Sequence, residues 1–193
     1  MKKNISGILT GILLVGVMSM GLVSCKSKKA LIAEDLGEVE VVTPCAGPEY
    51  QSTSKALRYS AIGESLDQMT AKKKATTEAR AGLAASVSTL IKSVTDSYVK
   101  SGNYNNAEEL MTNYEGLIRE VVNQTINGSV IACETTTRTK AKTYKYYVCM
   151  ELNSDNLLEN ISKKATANEM LKVDYNYERF KQTFEEEMSK LAQ

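Results

Sequence analysis

Apolar residues fall along this chain in three distinguishable rhythms. From Met69 onward, small or apolar residues occur at Ala75, Ala79, Leu83, Val87, Leu90, Val94 and Tyr98. Intervals of three and four place them on one face of a long helix, with alanines at its start and larger side chains beyond. A second helix is predicted over about 107–123, with Leu110, Tyr114, Leu117 and Val121 as its stripe and Glu108 and Glu109 in its first turn. A short helix is expected from Asp155 to about Lys164. A long one is expected from Asn168 to Leu191, with Tyr177, Phe180, Phe184, Met188 and Leu191 in its stripe. The triplet Glu185-Glu186-Glu187 reads as a solvated face.

The second rhythm is a period of two. Residues 143–152 alternate cleanly, with Tyr144, Tyr146, Val148, Met150 and Leu152 on one side. Residues 129–137 are rich in β-branched side chains, and the two stretches form a hairpin entered through the Asn127-Gly128 turn. A third strand is predicted at Leu57 to Ile62, and Val39, Val41 and Val42 suit a short edge strand. Gly63 supplies freedom to leave the strand. Ser65 with Gln68 has the spacing of a capping box, and Asp67 adds charge favoured by the helix dipole. The fold expected is α+β, a small antiparallel sheet of three to four strands with the alanine-rich helix and the further helices packed on one face.

The third rhythm is unbroken. After Met1-Lys2-Lys3-Asn4 the chain is apolar from Ile5 through Val23, ending at Leu22-Val23-Ser24-Cys25. A basic start, an uncharged run and a small residue before a cysteine predict a secretion signal. The last four residues resemble the bacterial lipobox, in which a diacylglycerol is joined to the cysteine sulfur and the chain is cut before it. Cys25 is thus the expected lipid attachment site and residues 1–24 the expected signal peptide. Each buried methylene contributes about 0.8 kcal/mol, so two or three acyl chains give a stable anchor. The Lys26-Ser27-Lys28-Lys29 cluster reads as a spacer able to touch anionic headgroups.

Without residues 1–24, 22 basic and 23 acidic residues remain, a net charge of −1. That balance argues against nucleic acid as a partner. The remaining length suits one domain, here residues 57–193, behind a linker of residues 25–56. Within the linker, Pro44-Cys45-Ala46-Gly47-Pro48 holds both prolines of the chain and forms a stiff corner.

Candidate chemistry is sparse. The chain contains no histidine, which removes the commonest base and metal ligand. Gly63-Glu64-Ser65 lacks the second glycine and lysine of a phosphate loop and the flanking glycines of a nucleophile elbow. No enzymatic activity, cofactor or metal is expected.

The strand running into Gly63-Glu64-Ser65, the Ala71, Ala75, Ala79-Arg80 series, Leu83-Ala84 and the Tyr144-Tyr146-Val148 strand resemble the LPP-twenty-like bacterial lipoproteins. Residues 44–50, 119–125 and 180–188 resemble a set of Bacteroidota envelope lipoproteins that carry no established activity to transfer. The resemblance implies an alanine helix lying on an antiparallel sheet and attachment to the outer membrane. It implies no catalytic motif.

Beyond Cys25, the cysteines are Cys45, Cys133 and Cys149, in a compartment that permits disulfides. Centring the hairpin on Ala141 sets Cys133 opposite Cys149, a placement that often gives a strained bridge and closes only a short loop. Cys45 with Cys133 closes a much longer loop and staples the corner to the sheet. The expected pair is therefore Cys45–Cys133, with Cys149 a buried thiol. The function expected is a periplasm-facing lipoprotein held to the outer membrane by its N-terminal lipid. It would act as a structural or interaction module toward another envelope protein or itself. The alternative is a small-ligand or lipid-binding lipoprotein with a pocket between helix and sheet.

Overall fold

The computed structural model describes residues 41–102 and 104–191. The domain within them runs β1 (Ala56–Ser65), α1 (Gln68–Ser101), α2 (Ala107–Thr125), β2 (Val130–Arg138), β3 (Tyr144–Asn153), α3 (Ser154–Ala167) and α4 (Tyr177–Lys190). The three strands form an antiparallel sheet in the order β1-β3-β2. The α+β expectation holds, with helices over one face of the sheet. Residues 1–40, and with them Cys25, the signal-like run, the Lys26 cluster and Val39, lie outside the described residues. Val41 and Val42 are exposed and belong to no strand.

Helix α1 lies on β1 and β3, and both α2 and α4 pack against it. Every stripe residue expected of α1 is buried, joined by Ala71, Ile91, Thr95 and Val99. At about 1.5 Å per residue the helix is roughly 50 Å long and outruns the sheet. Its alanine half therefore lies on the sheet, while Tyr98 near its far end packs against Tyr114 of α2 and Phe180 of α4. On β3, Tyr146, Val148, Met150 and Leu152 are buried beneath the helices, as their alternation requires.

Three local expectations are corrected. Gly63 lies within β1, which runs on to Ser65, and its missing side chain serves the close approach of α1 rather than a turn. The cap of α1 is Asp67, whose Oδ1 accepts from Thr70 N at 2.7 Å, while Ser65 Oγ accepts from Asp67 N at 3.2 Å. Ser65 belongs to the strand, so the carboxylate two residues later takes the capping role.

The long helix expected over 168–191 is instead a turn region followed by α4. Asn168 Oδ1 accepts from Met170 N and Leu171 N, folding the chain back at once. Farther on, the Tyr98 hydroxyl donates to Asp174 O at 2.9 Å and accepts from Asn176 N at 2.8 Å. A continuous helix would use both of those backbone groups internally. Asn176 then caps α4 by accepting from Arg179 N. Phe180, Phe184 and Met188 are buried as expected, whereas Tyr177 and Leu191 are exposed.

Candidate functional site

The sheet has an inner face covered by helices and an outer face dressed by the N-terminal corner. Ser60, Cys149 and Cys133 form one row across the outer face, paired strand to strand. Cys45 sits over that row. Its sulfur is bonded to Cys133, with Cα atoms 5.5 Å apart, and its carbonyl accepts from Ser60 Oγ at 2.5 Å. The corner takes a positive φ at Cys45 and a 3-10 turn at Pro48–Tyr50. Arg58 fastens the far side: Nε donates to Glu151 at 2.6 Å, and Nη1 donates to the carbonyls of Glu49 and Gln51, each at 3.2 Å. Cys149 is free and fully buried beneath this corner, its sulfur 3.8 Å from Tyr50 O. The expected pair and the expected buried thiol are thus both present.

The corner covers only part of the outer face. Toward the other end, the row Ile62, Tyr147 and Thr135 carries no such cover among the described residues, and Ile62 is exposed. Leu66 and Met69, 76% and 69% exposed at the turn from β1 into α1, extend the apolar character of this end.

Strand β2 is open on both faces. No residue of it is buried, and Val130 and Ile131 are 59% and 42% exposed. Its lateral edge has no neighbouring strand among the described residues. The strand reaches α1 through Glu134, which accepts from Lys72 Nζ at 3.1 Å and from the Tyr146 hydroxyl. Those bonds hold the Glu134 carboxyl below its ordinary range. Burial first, and the Glu134 bond second, push the Tyr146 hydroxyl up. Arg138 lies over the ring of Tyr144, 5.0 Å from its centroid.

A cleft of about 440 Å³ opens where α1 diverges from β1, lined mainly by apolar groups including Leu57, Tyr59, Leu90 and Leu191. Glu187 stands at its α4 rim, 8% exposed, and accepts from Ser93 Oγ at 2.7 Å, Ser97 Oγ at 3.1 Å and Lys190 Nζ at 2.5 Å. The Lys190 bond leads in holding its carboxyl below the usual glutamate value. This corrects the reading of Glu185-Glu186-Glu187 as a wholly solvated face. Glu187 follows Phe180 and Phe184 at helical spacing, and that phase, rather than the run of charge, decides where it points.

Near the far end of α1, Arg179 lies 4.3 Å from the Tyr98 ring centroid and 5.3 Å from that of Tyr104, and its Nη2 donates to the Tyr104 hydroxyl. Burial and the neighbouring Tyr98 push the Tyr104 hydroxyl up to about 12. This group organises the turn region before α4, and the tyrosines pack with Phe180 in the core. Among the described residues, no group of three metal-ligating side chains is assembled and no helix is long and apolar enough to cross a membrane. Compared with family models, curated proteins and solved structures, the chain gives no match.

Proposed function

We propose that this protein is a lipoprotein of the bacterial cell envelope, tethered to the outer membrane through Cys25, whose α+β domain faces the periplasm as a structural or protein-interaction module. The observation that carries the interaction reading is β2, a strand whose faces and outer edge are open among the described residues. Exposed strand edges are templates for pairing with another chain. The tether rests on the sequence from Met1 to Cys25 and on the lipoprotein resemblance. From Cys25 to Cys45 a fully extended chain reaches at most about 70 Å, which is the upper bound on the distance from lipid anchor to corner. We assign the module no reaction.

Acyl labelling in intact cells tests the anchor, and photo-crosslinking from β2 tests the interaction. Labelling of the parent chain, its loss in Cys25→Ala, and one reproducible protein linked from position 136 are expected. A secreted product that retains residues 1–24, or one that leaves the membrane with Cys25 intact, would sink the anchor. Absence of any protein linked from β2 would sink the module.

The apolar cleft beside β1 favours a second reading, a small-ligand or lipid-binding lipoprotein. Native mass spectrometry of the purified chain discriminates: a co-purifying apolar small molecule, displaced by Ala85→Trp in the cleft wall, would establish it.

A further inference from the structure

Natural proteins usually guard an open strand edge with charges, bulges or cover. Strand β2 has a bulge where the register shifts between Ile131 and Cys133, and beyond it a regular stretch from Cys133 to Arg138. That stretch carries two charges of opposite sign, Glu134 and Arg138, four residues apart and on the same face, with three threonines between them. From the geometry and charge of this edge, and resting on the interaction reading above, we propose that the partner of β2 is β2 of a second copy. The two strands pair antiparallel about a twofold axis at Thr136 and join two sheets into one of six strands.

The register follows from charge. Centred on Thr136, antiparallel pairing sets Glu134 of each copy opposite Arg138 of the other, and Thr135 opposite Thr137. Opposite charges facing each other across strands stabilise the pair, and like charges destabilise it. Centred on Glu134, the same edge would oppose two carboxylates. Centred on Thr135, it would set Arg138 against the bulge. The Glu134 carboxylate is already oriented by Lys72 and Tyr146 and remains about half exposed, so little further ordering is needed.

The assembly also closes. The other sheet edge, β1, is occupied at Arg58, whose N–H donates to Ser52 Oγ at 2.9 Å and whose carbonyl accepts from the same hydroxyl. Continued strand addition there is obstructed, so a self-complementary contact at β2 stops at two copies. Antiparallel neighbours in one sheet are related by an axis perpendicular to it, which keeps both outer faces on one side. Both Cys45 corners, which sit on that face, therefore lie on one side. Two copies tethered to one membrane meet in this orientation, and confinement to a surface raises their effective concentration.

The test uses the full chain in detergent. In a Cys149→Ala background, Thr136→Cys is expected to form a disulfide-linked dimer on mild oxidation at least about tenfold faster than Thr135→Cys, because only position 136 meets itself across the axis. Sedimentation of the parent should show a reversible dimer. Arg138→Glu is expected to weaken it about tenfold, and Glu134→Arg with Arg138→Glu together to restore it. The proposal is overturned if the dimer ignores both the charge reversal and its compensation, or if Thr135→Cys links as fast. A strict monomer whose β2 amides nevertheless resist hydrogen exchange would assign the edge to this chain's own residues and also overturn it. If position 136 links only a different envelope protein, the second copy is wrong while the interaction module stands. If it links nothing, both fall.

Discussion

Gly63 on β1 lies directly against the backbone of α1 at Ala71: a Cβ on that glycine would stand 2.2 Å from the Ala71 carbonyl oxygen and 2.5 Å from Ala75 N. Neither atom belongs to a side chain that can rotate away. The contact fixes the distance between helix and sheet at the end where the small residues Ala71, Ala75 and Ala79 are buried. Farther along the helix the buried positions carry the larger side chains Leu83, Val87 and Leu90.

Gly63→Ala is therefore expected to destabilise the domain by about 3 kcal/mol, the upper range for overpacking a well-filled core. Gly82 gives the control. A Cβ there would meet the ring of Tyr59 at 2.2 Å, yet that ring is partly exposed and is free to swing outward. Gly82→Ala should change stability by less than about 1 kcal/mol, since alanine also favours the helix. Chemical denaturation of the two variants checks the contrast, and equal losses would remove Gly63 as the point that sets the spacing.

The Cys45–Cys133 bond spans 88 residues, and closing a loop of that size in the unfolded chain contributes about 4.6 kcal/mol. Replacing both cysteines by alanine is expected to lower the melting temperature by about 12 °C. A second readout separates loop closure from local fastening. In the native protein Cys149 is covered by the corner and should resist alkylation. Without the bond, Ser60 and Arg58 are left to hold the corner, and Cys149 should become reactive well below the unfolding transition. A thiol that stays inert until global unfolding would mean that those two residues seat the corner unaided.

Much of this arrangement is legible in the residues because it depends on local period. The alanine stripe, the Tyr144 to Leu152 alternation and the centre of the hairpin each follow from spacing, and the register indeed sets Cys133 against Cys149. The misread features depend on contacts between distant segments. The helical pattern over 168–191 is real in the residues, but Tyr98, 76 residues before Asp174, takes the backbone groups that would continue it. The openness of β2 is likewise invisible in its β-branched composition, which suits a covered strand equally well. It arises because α1 lies over β1 and β3 and stops short of the third strand.

Glu187 supplies a pH dependence whose sign is set by its partners. Lys190 and the hydroxyls of Ser93 and Ser97 favour the ionised carboxyl, so its value in the folded protein lies below the ordinary 4.5. A depressed carboxyl stabilises the fold above its unfolded value, and that contribution is lost as pH falls through the folded value. The docking of α4 on α1 should therefore weaken below about pH 4.5 and remain level above it. Asp67 and Glu134 are depressed as well, so the parent curve alone does not isolate Glu187. Its difference from Glu187→Gln does: about 1.5 to 3 kcal/mol at neutral pH, the scale of a hydrogen bond to a charged group, shrinking as pH falls below 4.5 toward the lower folded value. Because Glu187 sits on α4 and both serines on α1, the loss should appear first as faster hydrogen exchange in residues 177–190. A difference that stays constant from pH 7 to pH 3 would mean that the glutamate acts through shape and not through charge.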